Sequence, residues 1–433
     1  MIISIVIVLR RNWPHFEALV NEIPDHRKRK TYDVGEILMA GLSMFIFKRG
    51  SRNNMDKIIK GEFEKNYFTL WGLRLPIMET VDKFLRELPP EELENLKHEL
   101  VRALIRRKSL ERWRFNNRYI VSVDGTGLMS FDYEPFPGCP YKEFKNGCKT
   151  WTAYALEAKL CCGNGISISL NTVWLDSSEN IDDDKQDCEL KAFRRLAEQL
   201  KKTYPRLPMI IVADSLYPNQ TCFDICKHNG WNYIFTFKDG CLKSIQDEVA
   251  QLRPLAEQQE NKQENTLYEN KKVKKEIFEF INHLEYQNKY QLNWLEYNKV
   301  VDKEVEQRFT HITNITITKK NIRNISYNGR LRWLIENQGF NSQKNSGYKL
   351  QHKYSRKNYF SMQNYYHLLQ IAHMIMQLVE KLKHIKQQLK STGMTIVAMV
   401  EDMVSTMTKE CITQEEFMKE FNQTKQLRYT DAI

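Results

Sequence analysis

The chain has 433 residues, 42% of them hydrophobic and 27% charged, with a formal net charge of +11. That length is enough for a sizeable core and two to four domains, and the ordinary hydrophobic fraction excludes a disordered or fibrous chain. The positive balance favours a polyanionic partner such as nucleic acid.

The first apolar run, Ile2 to Leu9, precedes Arg10 and Arg11. It is too short to span a bilayer, and its charge lies on the wrong side for a signal peptide. It reads as a buried strand or a loosely ordered start, and no later stretch is long and apolar enough to cross a membrane. Residues 13–117 read mostly as helix. Val34, Ile37, Leu38, Leu42, Phe45 and Ile46 make a helical stripe, and Pro89-Pro90-Glu91-Glu92 looks like a helix start. Residues 102–118 carry seven cations and one acid, which suits either a solvated helix face or one turned toward DNA.

From residue 119 the texture changes to strands. Tyr119-Ile-Val-Ser-Val leads into Asp124, which the pattern places at the end of a buried strand. Trp151–Cys161 and Ile166–Trp174 are apolar runs separated by Gly163-Asn164-Gly165, a hairpin signal. A helix over 187–203 follows, then an apolar strand over 208–213 that ends at Asp214, a helix near 218–229 and a strand over 232–237. Residues 243–266 read as helix then loop, and 275–318 alternate apolar and polar as a β-rich insertion. Helix resumes near Lys320, carries Glu336, and returns over about 358–425. The last residues, 424–433, read as frayed.

Acids at strand ends are held rigidly. Asp124, Asp214 and Glu336 converging on one point would hold two Mg²⁺ ions, with Mn²⁺ as substitute, for phosphoryl transfer. Asp124 would bridge both ions, Asp214 would hold one and Glu336 the other. For any single acid the alternative is a plain surface charge, and for Asp214 a helix cap. Arg332 shares a helix face with Glu336, either as a simple ion pair or as a phosphate contact. From Asn337 to Val379 there is no Asp or Glu, while Lys344, Lys349, Lys353, Arg356 and Lys357 alternate with Tyr348, Tyr354, Tyr359, Phe360, Tyr365 and Tyr366. Cations pair with phosphates and aromatic faces stack on bases, so this stretch reads as a DNA contact. The nine cysteines make no zinc pattern and read as free thiols of a reducing compartment.

These residues resemble the DDE transposases of bacterial insertion sequences, in the group with a Tyr-Arg-Glu-Lys signature. The resemblance covers about residues 119–380. It rests on Val123-Asp124-Gly125-Thr126-Gly127, Lys185-Gln186-Asp187-Cys188-Glu189-Leu190, Ala213-Asp214-Ser215-Leu216-Tyr217, Arg332-Trp333-Leu334-Ile335-Glu336-Asn337 and Gly347-Tyr348-Lys349-Leu350-Gln351-His352.

The resemblance implies an α/β fold: an RNase H-like mixed sheet flanked by helices and interrupted by a β-rich insertion, with helical N- and C-terminal regions. The expected division is 1–117 for a helical region with possible DNA-end recognition, 118–245 with 319–380 for the catalytic core, 246–318 for the insertion and 381–433 for the C-terminal helices. It implies Asp124, Asp214 and Glu336 as catalytic metal ligands. Arg330, Arg332, Lys344, Lys349, Lys353, Arg356, Lys357, Tyr327 and His352 would be DNA contacts.

The signature tyrosine is expected three residues before Arg332, where Gly329 stands, and Tyr327 is instead three before Arg330. The lysine expected seven after Glu336 is Gln343, with Lys344 next. The implied activity is Mg²⁺-dependent cleavage at element ends and 3′-OH transfer into target DNA by a homodimer assembled on DNA, in a bacterial cytoplasm. The alternatives are a repurposed transposase that binds DNA without cutting, and a plain metal-dependent nuclease.

Overall fold

The computed structural model describes residues 1–176, 188–258, 261–269, 272–302, 304–356, 358–423, 427 and 429. Lys185, Gln186, Asp187, Lys357 and most of residues 424–433, expected to be frayed, fall outside them. Helices come first: α1 (Ile2–Asn12), α2 (Phe16–Asn21), α3 (Val34–Ile46), α4 (Arg52–Asp56), α5 (Glu62–Trp71), α6 (Met78–Glu87) and α7 (Pro90–Arg106). Then follow β1 (Tyr119–Phe131), β2 (Tyr141–Glu143), β3 (Lys149–Cys161), β4 (Ser167–Trp174), α8 (Glu189–Thr203), β5 (Met209–Ala213), α9 (Gln220–Asn229) and β6 (Asn232–Thr236). Next are α10 (Lys243–Gln258), β7 (Lys262–Glu269), β8 (Lys272–Tyr286), β9 (Tyr290–Val301) and β10 (Glu304–Thr313). After α11 (Ile322–Arg330) and a π-helical segment, Ile335–Asn341, come α12 (Ser342–Asn345), α13 (Tyr359–Glu380), α14 (Lys383–Thr392), α15 (Ile396–Lys409) and α16 (Gln414–Asn422).

The ends of these elements follow local chemistry. α3 starts with a capping box between Asp33 and Glu36, α7 with Pro90 in its first turn, and α9 between an Asn219 cap and a left-handed Gly230. The β3–β4 hairpin turns at Gly163–Gly165, where Gly165 takes φ +88°.

The ten strands among the described residues share one mixed, largely antiparallel sheet flanked by helices. Its order is β2-β3-β1-β5-β6-β10-β9-β8-β7, with β4 on β3. β1 is antiparallel to β3 and parallel to β5, and β5 is parallel to β6. β10 joins β6 antiparallel, so the strands from 262 to 313 extend the same sheet.

α13 lies at the centre of the helical layer, against α1, α3, α6, α7 and β4. It is buried almost all round, so its polar side chains must be bonded inside the protein. Asn364 donates to the carbonyls of Leu85 and Leu88 at 2.9 and 2.8 Å, and Gln377 accepts from the Ser167 N–H at 2.6 Å. Lys159, fully buried on β3, donates to Gln370 Oε1 at 2.7 Å and lies 3.8 Å from buried Glu157. One apolar core runs from Ile2 on α1 to Tyr429, and a smaller one sits beneath α11.

Three expectations are corrected. The run Ile2–Leu9 is helix: its β-branched residues favour a strand locally, but residues all round the helix are buried against neighbours, and packing outweighs propensity. β1 does not stop at Asp124. It runs on to Phe131, with a register shift between Gly127 and Met129, because β3 continues to pair with it. Residues 262–266, within the stretch read as helix then loop, are strand, the first part of β7 paired with β8.

Candidate active site

Ser122 on β1 stands opposite Val212 on the parallel strand β5. Two residues further along are Asp124 and Asp214, on the same face of neighbouring strands by the alternation of side chains. Burial pushes the Asp124 carboxyl up to about 6. Arg332 and the Gly125 N–H oppose that rise, while the charges of Glu189 and Asp214 add to it. The Gly125 N–H donates to Asp124 Oδ1 at 2.9 Å, and Arg332 Nη1 lies 3.8 Å from Asp124 Oδ2. Ser122 Oγ donates to the Arg332 carbonyl at 3.2 Å, which ties the segment after α11 to β1. Asp214 accepts the Leu216 N–H at 2.8 Å in a tight side-chain turn, and the cap of α9 is Asn219 instead.

A further acid completes this group. Glu189, the first residue of α8, accepts a hydrogen bond from the Tyr154 hydroxyl on β3 at 2.6 Å. Burial raises the Glu189 carboxyl, the Tyr154 hydroxyl lowers it, and Asp214 raises it again. The backbone must be glycine at 125: a Cβ there would stand 2.5 Å from the Tyr154 ring and 2.6 Å from Glu189 Oε1. Buried Tyr217 packs edge-on against Phe193, and among the described residues its hydroxyl has no hydrogen-bond partner. Burial first, then the charges of Glu189, Cys222, Asp124 and Asp214, push that hydroxyl well above its usual range. Glu189 lies outside the acids expected to hold metal; its signal in the sequence is the Cys188-Glu189-Leu190 motif at a helix start.

Glu336 occupies the first turn of the π-helical segment and is half-buried. It is not among the leading charges acting on Asp124 or Glu189. Among the described residues, no three His, Cys, Asp or Glu side chains are disposed to hold one metal ion. The Asp124–Asp214 pair supplies hard oxygen ligands that suit Mg²⁺, and the raised Asp124 carboxyl is a group that a cation would relieve.

Gly329 has no room for a tyrosine: a Cβ would stand 2.6 Å from His311 Nε2 and 2.8 Å from Ile234 Cγ2. Tyr327 is exposed and its hydroxyl donates to the Gly163 carbonyl at 3.3 Å. Gln343, at the lysine position, is buried and donates to Gln370 at 2.8 Å. Arg330 lies over the rings of Tyr297 and Phe309 at 4.7 and 5.4 Å. Lys344 is half-buried, and Lys349, His352 and Arg356 are exposed. Lys353 sits 4.6 Å above the Phe131 ring. Tyr348, Tyr354, Tyr365 and Tyr366 are buried, which removes them as stacking platforms for bases and makes them core. Phe360 is exposed.

Beside Asp214 opens a cleft of about 830 Å³ between the sheet, α10 and the segment after α11. Lys238, Arg253, Arg308 and Arg332 give it cations beside the acids Asp214, Asp239 and Asp247, and Trp294, Phe309 and Trp333 give it aromatic walls. Glu296 partly neutralises it, holding Arg253 and Arg308 at 2.7 Å each. Among the described residues no helix is long and apolar enough to cross a membrane. No protein-family model matches the chain, and no curated protein matches it.

Proposed function

We propose that the chain is a metal-dependent DNA strand-cleaving and strand-transferring enzyme of the DDE transposase type. The observation that carries this reading is the placement of Asp124 on β1 and Asp214 just past the end of the neighbouring parallel strand β5, each two residues beyond the paired Ser122 and Val212, with the charge of Asp214 acting on Asp124. The strand order β4-β3-β1-β5-β6, with only the first two ladders antiparallel, supports an RNase H-like core. In that reading α10 and β7–β10 are the insertion ahead of the third acid.

Asp124 and Asp214 would hold Mg²⁺, which when bound supplies a Lewis acid for the attacked phosphate. Glu189 is kept in place by Tyr154 and adds negative charge on the same side. Arg332, 3.8 Å from Asp124, is placed to exchange that carboxylate for a phosphate oxygen as DNA enters. The cations and aromatic walls of the adjoining cleft suit a strand led away from the acids. A homodimer assembled on DNA belongs to the same proposal.

The test is Mg²⁺-dependent nicking of duplex DNA by the wild type and by Asp124→Asn and Asp214→Asn. Cleavage by the wild type alone supports the reading, and equal cleavage by all three overturns it. Joining of a 3′-OH end to a second DNA separates transfer from plain nuclease action. A second reading, DNA binding without cutting, draws on the described residues having no three His, Cys, Asp or Glu side chains disposed to hold one metal ion.

A further inference from the structure

The chain carries a second concentration of positive charge, far from residue 124 in sequence. Between α2 and α3 lies His26-Arg27-Lys28-Arg29-Lys30. Its residues His26, Arg27, Lys28 and Arg29, together with Lys83 and Arg86 of α6, line a groove of about 660 Å³, in which five of ten lining residues are Lys or Arg and only Glu87 is acidic, with Lys83 itself 3.4 Å from Glu79. The loop is fixed from within. Arg27 makes two 2.9 Å bonds to the Asp25 carboxylate and one of 2.6 Å to the Tyr32 carbonyl, and its guanidinium lies 5.4 Å from the Phe84 ring. The Arg27 bonds hold the Asp25 carboxyl down to about 2. With Arg27 turned inward and Lys30 lying 3.7 Å from Asp25, Lys28 and Arg29 are left exposed. A rigid loop that displays like charges repels itself, and a polyanion relieves that repulsion.

This groove joins the acid-free segment through direct contacts. Buried Asp82 binds both Arg86 and Arg52, the latter at 2.7 Å, and accepts Ser361 Oγ from the first turn of α13 at 3.0 Å. Asn358, the cap of α13, donates to the Arg86 carbonyl at 3.4 Å. Burial and then the charges of Arg356, Arg52 and Lys349 hold the His352 ring below its usual pKa, so these cations share one neighbourhood. From there Lys353 reaches the Phe131 ring, and the Tyr133 hydroxyl donates to the Arg356 carbonyl at 3.1 Å. Phe131 ends β1, the strand of Asp124.

We infer that the loop 26–30 with Lys83 and Arg86 is a clamp for the backbone of duplex DNA, continuous with the basic segment 349–356 and leading to the strand of Asp124. The clamp rests on the nucleic-acid reading above, but not on catalysis. It grips phosphates and not base edges, because its exposed groups are flexible cations on a loop, with no element shaped to enter a groove. Binding through it is therefore indifferent to sequence and steeply dependent on salt.

The experiment measures binding of a short fluorescent duplex by the full chain, without divalent ions, across a salt series. Lys28→Glu/Arg29→Glu is compared with Lys201→Glu/Lys202→Glu, an equal charge change on α8. The clamp variant is expected to bind roughly tenfold more weakly, with a salt slope lower by about 1–2, since each lost phosphate contact removes about 0.9. The same factor is expected on unrelated duplex sequences, with melting temperature unchanged and the α8 variant nearly as tight as wild type.

Equal weakening by both variants, or by neither, overturns the clamp. If the wild type cleaves DNA while the clamp variant binds normally, the enzyme reading stands and the clamp falls. If no preparation cleaves but the clamp variant alone loses binding, the clamp stands and the enzyme reading falls. A wild type that binds no duplex removes both.

Discussion

The Tyr154 hydroxyl and the Glu189 carboxylate meet at 2.6 Å directly over Gly125, next to Asp124 in the chain. Three segments far apart in sequence thus fix the position of one acid beside the paired aspartates. The charge of Glu189 acts on Asp124, and the charge of Asp214 acts on Glu189, so these three acids share one electrostatic neighbourhood. Mn²⁺ is therefore expected to raise the melting temperature of the wild type and of Glu336→Gln alike, and to do so much less for Glu189→Gln. A larger loss in Glu336→Gln than in Glu189→Gln counts against this arrangement.

Asp124 should make the fold less stable as pH rises. A carboxyl whose folded pKa lies above its unfolded value binds a proton on folding, so its contribution is favourable at low pH. That contribution is lost as pH climbs from the ordinary aspartate range through about 6. Asp124→Asn is expected to be more stable than wild type by about 1–2 kcal/mol at neutral pH, and equal to it below the unfolded pKa. Urea unfolding at several pH values checks this, and a pH-independent difference would refute the cause.

Gly329→Ala places a methyl group 2.6 Å from His311 Nε2 and 2.8 Å from Ile234 Cγ2. His311 is buried and held neutral, its pKa lowered to about 3 first by burial and then by Arg330 and Arg332. α11 must move off the sheet, at about 1–3 kcal/mol, and Arg332 moves with it. An unchanged melting temperature would show that the helix has slack there.

Lys159→Met leaves Glu157 buried without its cation, which costs about 3–5 kcal/mol. Adding Glu157→Gln should restore most of that loss, because the amide can still accept from Thr172 and Tyr366, the two hydroxyls that now bond Glu157. Additive losses in the double variant would show that the two charges are not coupled.

Much of the sheet was legible in the sequence, because its signals are local. Gly163-Asn164-Gly165 marks the hairpin, and a run of five apolar residues carries β5 to Asp214. The features that were not legible depend on distant partners. Ile2–Leu9 reads as strand until α13 and α16 surround it. Tyr348 and Tyr365 read as base-stacking groups until burial claims them. Nothing in Ile335–Asn341 announces a π-helix, since the widened hydrogen-bond cycle leaves no periodicity over seven residues. Glu189 ends an acidic stretch and gains meaning only from Tyr154, on another strand.

The outer strands are wired to the acids through backbone alone. From β7 to β5 there are five successive hydrogen-bonded ladders with no loop between them. Asp214 sits at the tip of the last strand in that series, and Asp124 on the next. A load applied at the far edge of the sheet is therefore felt as twist beneath both carboxylates, and whatever seizes residues 262–301 acquires a handle on the site.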